Sequence, residues 1–114
     1  MRYCYMNKKD TQVLEKILKE IEQIEVFVKG FNFESFMDNE MVKRSVAMTL
    51  INIGEKAKIL SDEFKGVHRD IPFKAIVAMR NVAAHGYEEL RFDYVWETVT
   101  KDLPDLKSKI EGLV

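Results

Sequence analysis

Four side chains with distinct chemical uses lie close together near the middle of the chain: Arg80, Asn81, His85 and Tyr87. A guanidinium offers a planar fork of donors that suits phosphate oxygens. An imidazole titrates near neutrality and can move protons. An asparagine side chain can orient either group by hydrogen bonding. The set therefore suits chemistry at a phosphodiester that needs no metal ion.

The apolar residues before this set predict that it lies on one helix. Pro72 suits a first helical position, Gly86 is expected to end the helix, and the apolar face holds Phe73, Ile76, Val77 and Ala84. Arg80 falls on that same face by the 100° rule, so its guanidinium needs a partner or a purpose. His85 falls in the last turn, beside Asn81 on the adjoining flank.

The same residues also allow a purely structural interpretation. In that alternative, Arg80 pairs with Glu55 in the middle of the preceding helix, His85 caps its own helix, and Tyr87 packs in a loop. Spacing alone does not separate the two interpretations, because an arginine and a histidine five residues apart often occur by chance.

Helical periodicity extends over nearly the whole chain and predicts four or five helices. The first is expected from residues 8–10 to Gly30, the second from residues 38–39 to Gly66, and the last from Phe92 to the end, with a kink or break at Pro104. Residues 31–36 are interpreted as a connection. No alternating strand pattern and no internal repeat is found. These features predict an all-α, up-and-down bundle that forms a single domain over residues 1–114.

Composition excludes several classes of protein. The chain has 114 residues, of which 46% are apolar and 32% charged, with a net charge of −1. These values argue against a strongly basic nucleic-acid binder and a disordered chain. The single Cys4, expected to be a free thiol, leaves no intramolecular disulfide and no cysteine-clustered zinc site. No signal peptide or membrane span is found, so a cytoplasmic protein is expected.

The pattern Arg80-Asn81-x-x-x-His85-x-Tyr87 resembles the signature of the HEPN superfamily, and specifically of its HepT branch. The likeness covers nearly the whole chain in the expected order. Its further segments are residues 53–57, 70–73, 92–96 and 102–106. Phe73 stands where relatives often carry tryptophan, which is a conservative difference.

The resemblance implies a specific function. HepT proteins are similar to metal-independent endoribonucleases and act as toxins in type II HepT/MNT toxin–antitoxin pairs. They are all-α homodimers whose two Arg–His motifs face each other across a groove. An MNT-type minimal nucleotidyltransferase neutralises the toxin by transferring AMP from ATP onto the motif tyrosine. Carried over to this chain, the resemblance makes Arg80 and His85 catalytic, gives Asn81 a supporting role, and makes Tyr87 the modified residue.

The same resemblance implies RNA as substrate, no cofactor and no membrane partner. RNA carries its own nucleophile, the 2′-hydroxyl, so one or two histidines and an arginine fork suffice for cleavage. AMP on Tyr87 is expected to lie beside Arg80 and repel RNA. Residues 41–80 hold eight Lys or Arg against four Asp or Glu, which suits an RNA backbone. The dimer contact is expected on the first two helices, because their apolar residues Val26, Phe27 and Met48 are additional to the single apolar stripe that packs in the core.

A different class of function remains open from the sequence. In this alternative, the chain is a non-catalytic HEPN helical module that binds nucleotide or RNA, or that docks a nucleotidyltransferase.

Overall fold

The computed structural model describes residues 7–114, so Cys4 lies outside the described residues. Within that range the chain is helical and contains no strand. The α-helices are α1 (Lys8–Val28), α2 (Phe33–Asp38), α3 (Glu40–Lys58), α4 (Asp62–Val67), α5 (Phe73–His85), α6 (Phe92–Glu97) and α7 (Leu103–Glu111). A 3₁₀ turn (Tyr87–Glu89) follows α5, and a π-helical segment (Thr98–Asp102) joins α6 to α7.

Four long rods form the bundle: α1, α3, α5 and the continuous rod from α6 to α7. Helix α3 packs against both α1 and α5, and α7 packs against α1. The largest fully buried side chains come from all four rods and from α2; they are Leu14, Ile17, Ile21, Ile24, Phe36, Val46, Ile53, Ile76, Val95, Leu106 and Ile110. The predicted all-α bundle is confirmed. Its central rod is α3, which positions the residues of α5.

Side-chain caps fix where several helices begin. Asn7 accepts a hydrogen bond from the Asp10 amide at 2.7 Å, and Asn39 accepts one from the Val42 amide at 2.9 Å. Such caps satisfy amides that have no partner within the helix. The predicted start of α3 at Asn39 is confirmed.

Residues 31–36 differ from the predicted connection, because most of them belong to α2. Asn32 and Ser35 form a reciprocal capping box, which lets a helix of only six residues begin. The helix places Phe36 in the core, with its ring centroid 4.9 Å from that of Trp96. Burial of this aromatic ring stabilises a helix too short to persist alone.

The second predicted helix is divided, and the expected C-cap Gly66 instead lies inside α4. Ser61 ends the first part, because Asp10 of α1 accepts hydrogen bonds from its amide at 2.9 Å and its hydroxyl at 2.5 Å. The Ser61 hydroxyl in turn accepts a bond from the Phe64 amide. These contacts replace the helical bonding of Ser61 and start α4.

The last rod is interrupted near Pro104, where the sequence predicts a kink or break. The Leu103 amide bonds to the Thr98 carbonyl, five residues back, which defines the π segment. Proline has no amide hydrogen, and its ring clashes with the carbonyl four residues earlier in an α-helix. The wider π turn accommodates that clash without ending the rod.

Helix α5 is less buried than its apolar pattern predicts. Ile76 is its one buried residue, Phe73 and Val77 are half-buried, and Ala84 is exposed rather than part of the core face. Helix α5 therefore lies at the edge of the bundle, with much of its length open to solvent. None of the helices in residues 7–114 is both long and apolar enough to cross a bilayer.

Candidate functional site

Gly54 of α3 sets the position of Arg80 on α5. A Cβ atom at Gly54 would lie 2.7 Å from the Arg80 Cβ and 3.1 Å from its Cγ. Real side chains do not approach so closely, so only glycine lets the two helices pack at this distance. The stem of Arg80 therefore lies directly against the backbone of α3.

Two neighbours hold the Arg80 guanidinium. Its Nε donates to Oε1 of Glu55, the residue that follows Gly54, and its Nη1 donates to Oδ1 of Asn81 at 3.1 Å. The Arg80 side chain keeps 26% of its surface exposed. Among residues 7–114, Nη2 has no hydrogen-bond partner. The group is thus fixed by a carboxylate and an amide while one nitrogen remains available to a ligand.

His85 is the last residue of α5 and is exposed. Its ring forms no hydrogen bond with any residue of the described range 7–114. The amide of Gly86 bonds to the Ala83 carbonyl at 3.1 Å, which ends the helix. The imidazole therefore projects from the helix end, where a ligand can reach it.

Tyr87 turns away from α5 and contacts the beginning of α3. Its hydroxyl donates to Oε2 of Glu40 at 2.6 Å, and the guanidinium carbon of Arg44 lies 4.1 Å from its ring centroid. Arg44 Nε also lies 3.1 Å from Oε2 of Glu40. The Phe92 ring lies 5.2 Å away, centroid to centroid. The tyrosine is thus held by an acceptor, a stacked cation and an aromatic neighbour.

The surroundings of Tyr87 alter two pKa values. Burial, and then the hydrogen bond to Glu40, raise the pKa of Tyr87 to about 12. The same hydrogen bond is the main reason why the pKa of Glu40 is lowered, and the charges of Lys43 and Arg44 act in the same direction. At neutral pH the pair is a phenol that donates to a carboxylate.

Arg80 and Tyr87 contact opposite ends of α3. Their carboxylate partners, Glu55 and Glu40, are fifteen residues apart on that helix, or about 22 Å along its axis. A group added to the Tyr87 hydroxyl therefore enters beside Arg44 and not, within one chain, beside Arg80. The sequence led us to expect such a group beside Arg80, but α5 ends at His85 and a 3₁₀ turn carries Tyr87 elsewhere.

The sequence reasoning assigned no individual role to Glu40, Lys43 or Arg44. Their i,i+3 and i,i+4 spacing at a helix start is visible in the sequence. The contacts of Glu40 and Arg44 with Tyr87 are not visible in the sequence, because they join residues more than forty positions apart. The other histidine, His68, packs its ring 4.5 Å from that of Phe64, away from this set. Within residues 7–114, no group of three or more His, Cys, Asp or Glu side chains could hold a metal ion.

Comparison with known proteins identifies the family. The family model described as "Ribonuclease HepT-like" matches residues 17–113. The chain belongs to the HepT-like ribonuclease family. This HepT-like chain is 34% identical over 108 residues to a protein of Thermococcus cleftensis named "Probable ribonuclease HepT", covering 95% of this chain and 98% of that one.

A second relative, from Caldanaerobacter subterraneus subsp. tengcongensis, is named "Putative RNase TTE0752". It is 35% identical over 101 residues, which cover 89% of this HepT-like chain and 90% of the relative. No solved structure matches the chain. The predicted membership of the HepT branch of the HEPN superfamily is confirmed.

Proposed function

We propose that this chain is a metal-independent endoribonuclease that acts as the toxin of a type II HepT/MNT toxin–antitoxin pair. The observation that carries the proposal is the hydrogen bonding of the Arg80 guanidinium. Its guanidinium is held in place by Glu55 and Asn81, yet one nitrogen is without a partner in residues 7–114. A fixed, partly exposed cation of this kind is suited to a phosphate oxygen.

The proposed reaction uses the 2′-hydroxyl of RNA as the nucleophile. Its oxygen bonds to the adjacent phosphorus while a histidine accepts its proton, and the bond to the 5′-oxygen breaks as a second histidine protonates that oxygen. Arg80 stabilises the charge on the equatorial oxygens. The products are a 2′,3′-cyclic phosphate and a 5′-hydroxyl end.

The geometry of α5 supports a homodimer. His85 follows Arg80 by five residues, which places it about 7.5 Å along the helix axis and roughly 140° around it. One subunit therefore does not present both groups on the same face of α5, and only one motif histidine is available per chain. Met41 and Met48, exposed by 76% and 59% on α3, provide apolar surface for the contact.

The proposed neutralisation is transfer of AMP onto Tyr87 by an MNT-type nucleotidyltransferase that uses ATP. The phosphate enters beside Arg44 at the beginning of α3. There it neutralises an exposed basic side chain that would otherwise track the RNA backbone on the approach to Arg80. The block thus acts along the path of the RNA and not through direct contact with Arg80 in the same chain.

Cleavage of RNA in the presence of EDTA tests the enzymatic part of the proposal. We expect Arg80→Ala and His85→Ala each to reduce cleavage by roughly 100-fold or more. His68→Gln is the matched control for the histidine, and Arg69→Ala is the matched control for the arginine. If the motif variants cleave as fast as their controls, Arg80 and His85 are not catalytic. If neither the native chain nor the controls cleave RNA, the alternative of a non-catalytic helical module is favoured.

Co-expression with the adjacent nucleotidyltransferase gene tests the regulatory part. Intact mass spectrometry should detect added AMP on the native chain and none on Tyr87→Phe. Absence of AMP on the native chain, with an active transferase present, contradicts this part of the proposal without affecting the ribonuclease part.

A further inference from the structure

We propose that Glu40 is the general base that accepts the proton of Tyr87 when the hydroxyl receives AMP. The inference deepens the proposed function and rests on it. It assigns a catalytic role in the modification to a residue of the toxin itself, one that contacts the reacting oxygen. The transferase then needs to supply ATP and its metal but no base for the tyrosine.

The contact between the two side chains carries the inference. Oε2 of Glu40 lies 2.6 Å from the Tyr87 hydroxyl, within the range from which a base abstracts a proton. Arg44 holds both partners, because it stacks on the tyrosine ring and lies 3.1 Å from the same Oε2 atom. The nucleophile, the base and an orienting group thus form the arrangement typical of an activated hydroxyl.

The charge of the site makes such a base necessary. The pKa of Tyr87 is raised to about 12, so the phenolate is a rare species at neutral pH. A neutral phenol is a poor nucleophile toward phosphorus. The charged groups that act on Tyr87 are Glu40 and Arg44, both on α3, and Lys43 acts in turn on Glu40. Helix α6 contributes the uncharged Phe92. Of these, only Glu40 can accept a proton.

The step balances without any further reactant. The Tyr87 oxygen bonds to the α-phosphorus of ATP held by the partner, and its proton passes to Glu40. The bond between the α-phosphorus and the bridging oxygen breaks, and pyrophosphate leaves with that electron pair. Protonated Glu40 no longer holds Arg44 by charge, so Arg44 can pair with the new phosphodiester anion beside it.

The other described tyrosine shows what Tyr87 has in addition. Tyr94 is more exposed, at 53% of its surface, and it also carries a stacked arginine, with the Arg91 guanidinium 4.2 Å from its ring. Within residues 7–114, however, no carboxylate accepts a hydrogen bond from the Tyr94 hydroxyl. A stacked cation is therefore common to both tyrosines, and the carboxylate is specific to Tyr87.

The experiment compares Glu40→Gln with the native chain in AMP transfer by the purified partner transferase with Mg·ATP. Glutamine keeps the shape and an acceptor oxygen but cannot take the proton. Asp38→Asn is the matched control, since it removes an exposed carboxylate two residues away that does not contact Tyr87. Rates are measured by intact mass spectrometry across a pH series, and circular dichroism checks the fold of each variant.

At neutral pH we expect Glu40→Gln to be modified roughly 100-fold more slowly, and Asp38→Asn to match the native chain. The ratio of native to variant rate should shrink by about tenfold for each pH unit, because the variant must react through the ionised phenol. A merely structural role would give a ratio that does not change with pH.

Two outcomes overturn the proposal, and a third concerns its premise. Equal rates for Glu40→Gln and the native chain, or a constant ratio across the series, exclude Glu40 as the base. Absence of AMP on the native chain contradicts the proposed regulation instead, so the two failures are distinguishable.

Discussion

Replacement of Gly54 by alanine should damage the site while leaving the fold intact. The new Cβ would lie 2.7 Å from the Arg80 Cβ, whereas ordinary contacts begin at 3.4 Å. Arg80 must therefore move by roughly 0.7 Å, because its Cβ belongs to the rigid part of the side chain. A displacement near 1 Å can reduce a catalysed rate by about 100-fold. We expect RNA cleavage to fall by roughly 10- to 100-fold.

The effect of Gly54→Ala on stability should be smaller than its effect on cleavage. Overpacking costs about 1–3 kcal/mol, while alanine stabilises a helix interior by about 1 kcal/mol relative to glycine. The free energy of unfolding should therefore fall by about 0–2 kcal/mol. A small change in stability with a large change in rate would identify displacement of Arg80 as the cause.

Gly66→Ala is the matched control, since a Cβ there meets no atom within 4 Å. We expect it to raise the free energy of unfolding by about 0.4–1 kcal/mol and to leave cleavage at the native rate. Urea denaturation and a fluorescent RNA assay measure both quantities for both variants. Native cleavage by folded Gly54→Ala would refute the claim that close packing of α3 and α5 positions Arg80.

Three further outcomes are expected from the structure. Asp10→Ala should lower the free energy of unfolding by about 2–4 kcal/mol in urea denaturation, because buried Asp10 accepts two hydrogen bonds from Ser61; an equal loss in Asp10→Asn would show that charge is required. In a spectrophotometric titration, we expect Tyr87 to be the last tyrosine to ionise, near pH 12. This ionisation step should be absent in Tyr87→Phe and should shift toward pH 10 in Glu40→Gln. The pKa of Tyr87 is about 10 in the unfolded chain and about 12 in the folded one. The stability that Tyr87 contributes is therefore complete below about pH 10 and is lost as the pH rises toward 12. Met48→Glu should convert the dimer to a monomer of 13.4 kDa in light scattering, and a native chain that is already monomeric would contradict the proposed homodimer.

The sequence predicted the long helices because their apolar periodicity is strong and local. The N-cap Asn39 and the end at Gly86 also follow from local chemistry, and α5 begins at Phe73, one residue after the predicted start at Pro72. The sequence did not predict the break at Ser61, since that break depends on Asp10, fifty-one residues away. Helix α2 was missed for a similar reason, because burial of Phe36 against α6 and its neighbours stabilises it.

The candidate site was also predictable from the sequence only where its pattern is local. The order of Arg80, Asn81, His85 and Tyr87 is a local pattern, and Glu55 was recognisable as a partner for Arg80. The Glu40–Tyr87 contact was not recognisable, because it depends on how the 3₁₀ turn redirects the chain after α5. Spacing along one helix indicates which side chains share a face only while that helix continues.

Because α3 holds Arg80 at one end and Tyr87 at the other, the proposed cleavage site and the proposed modification site are separate on this molecule. Under the proposed function, a substitution near Glu40 can give an active ribonuclease that the transferase no longer modifies. A substitution near Glu55 can give an inactive chain that the transferase still modifies. Natural selection can then adjust how well the two genes match without altering the cutting chemistry.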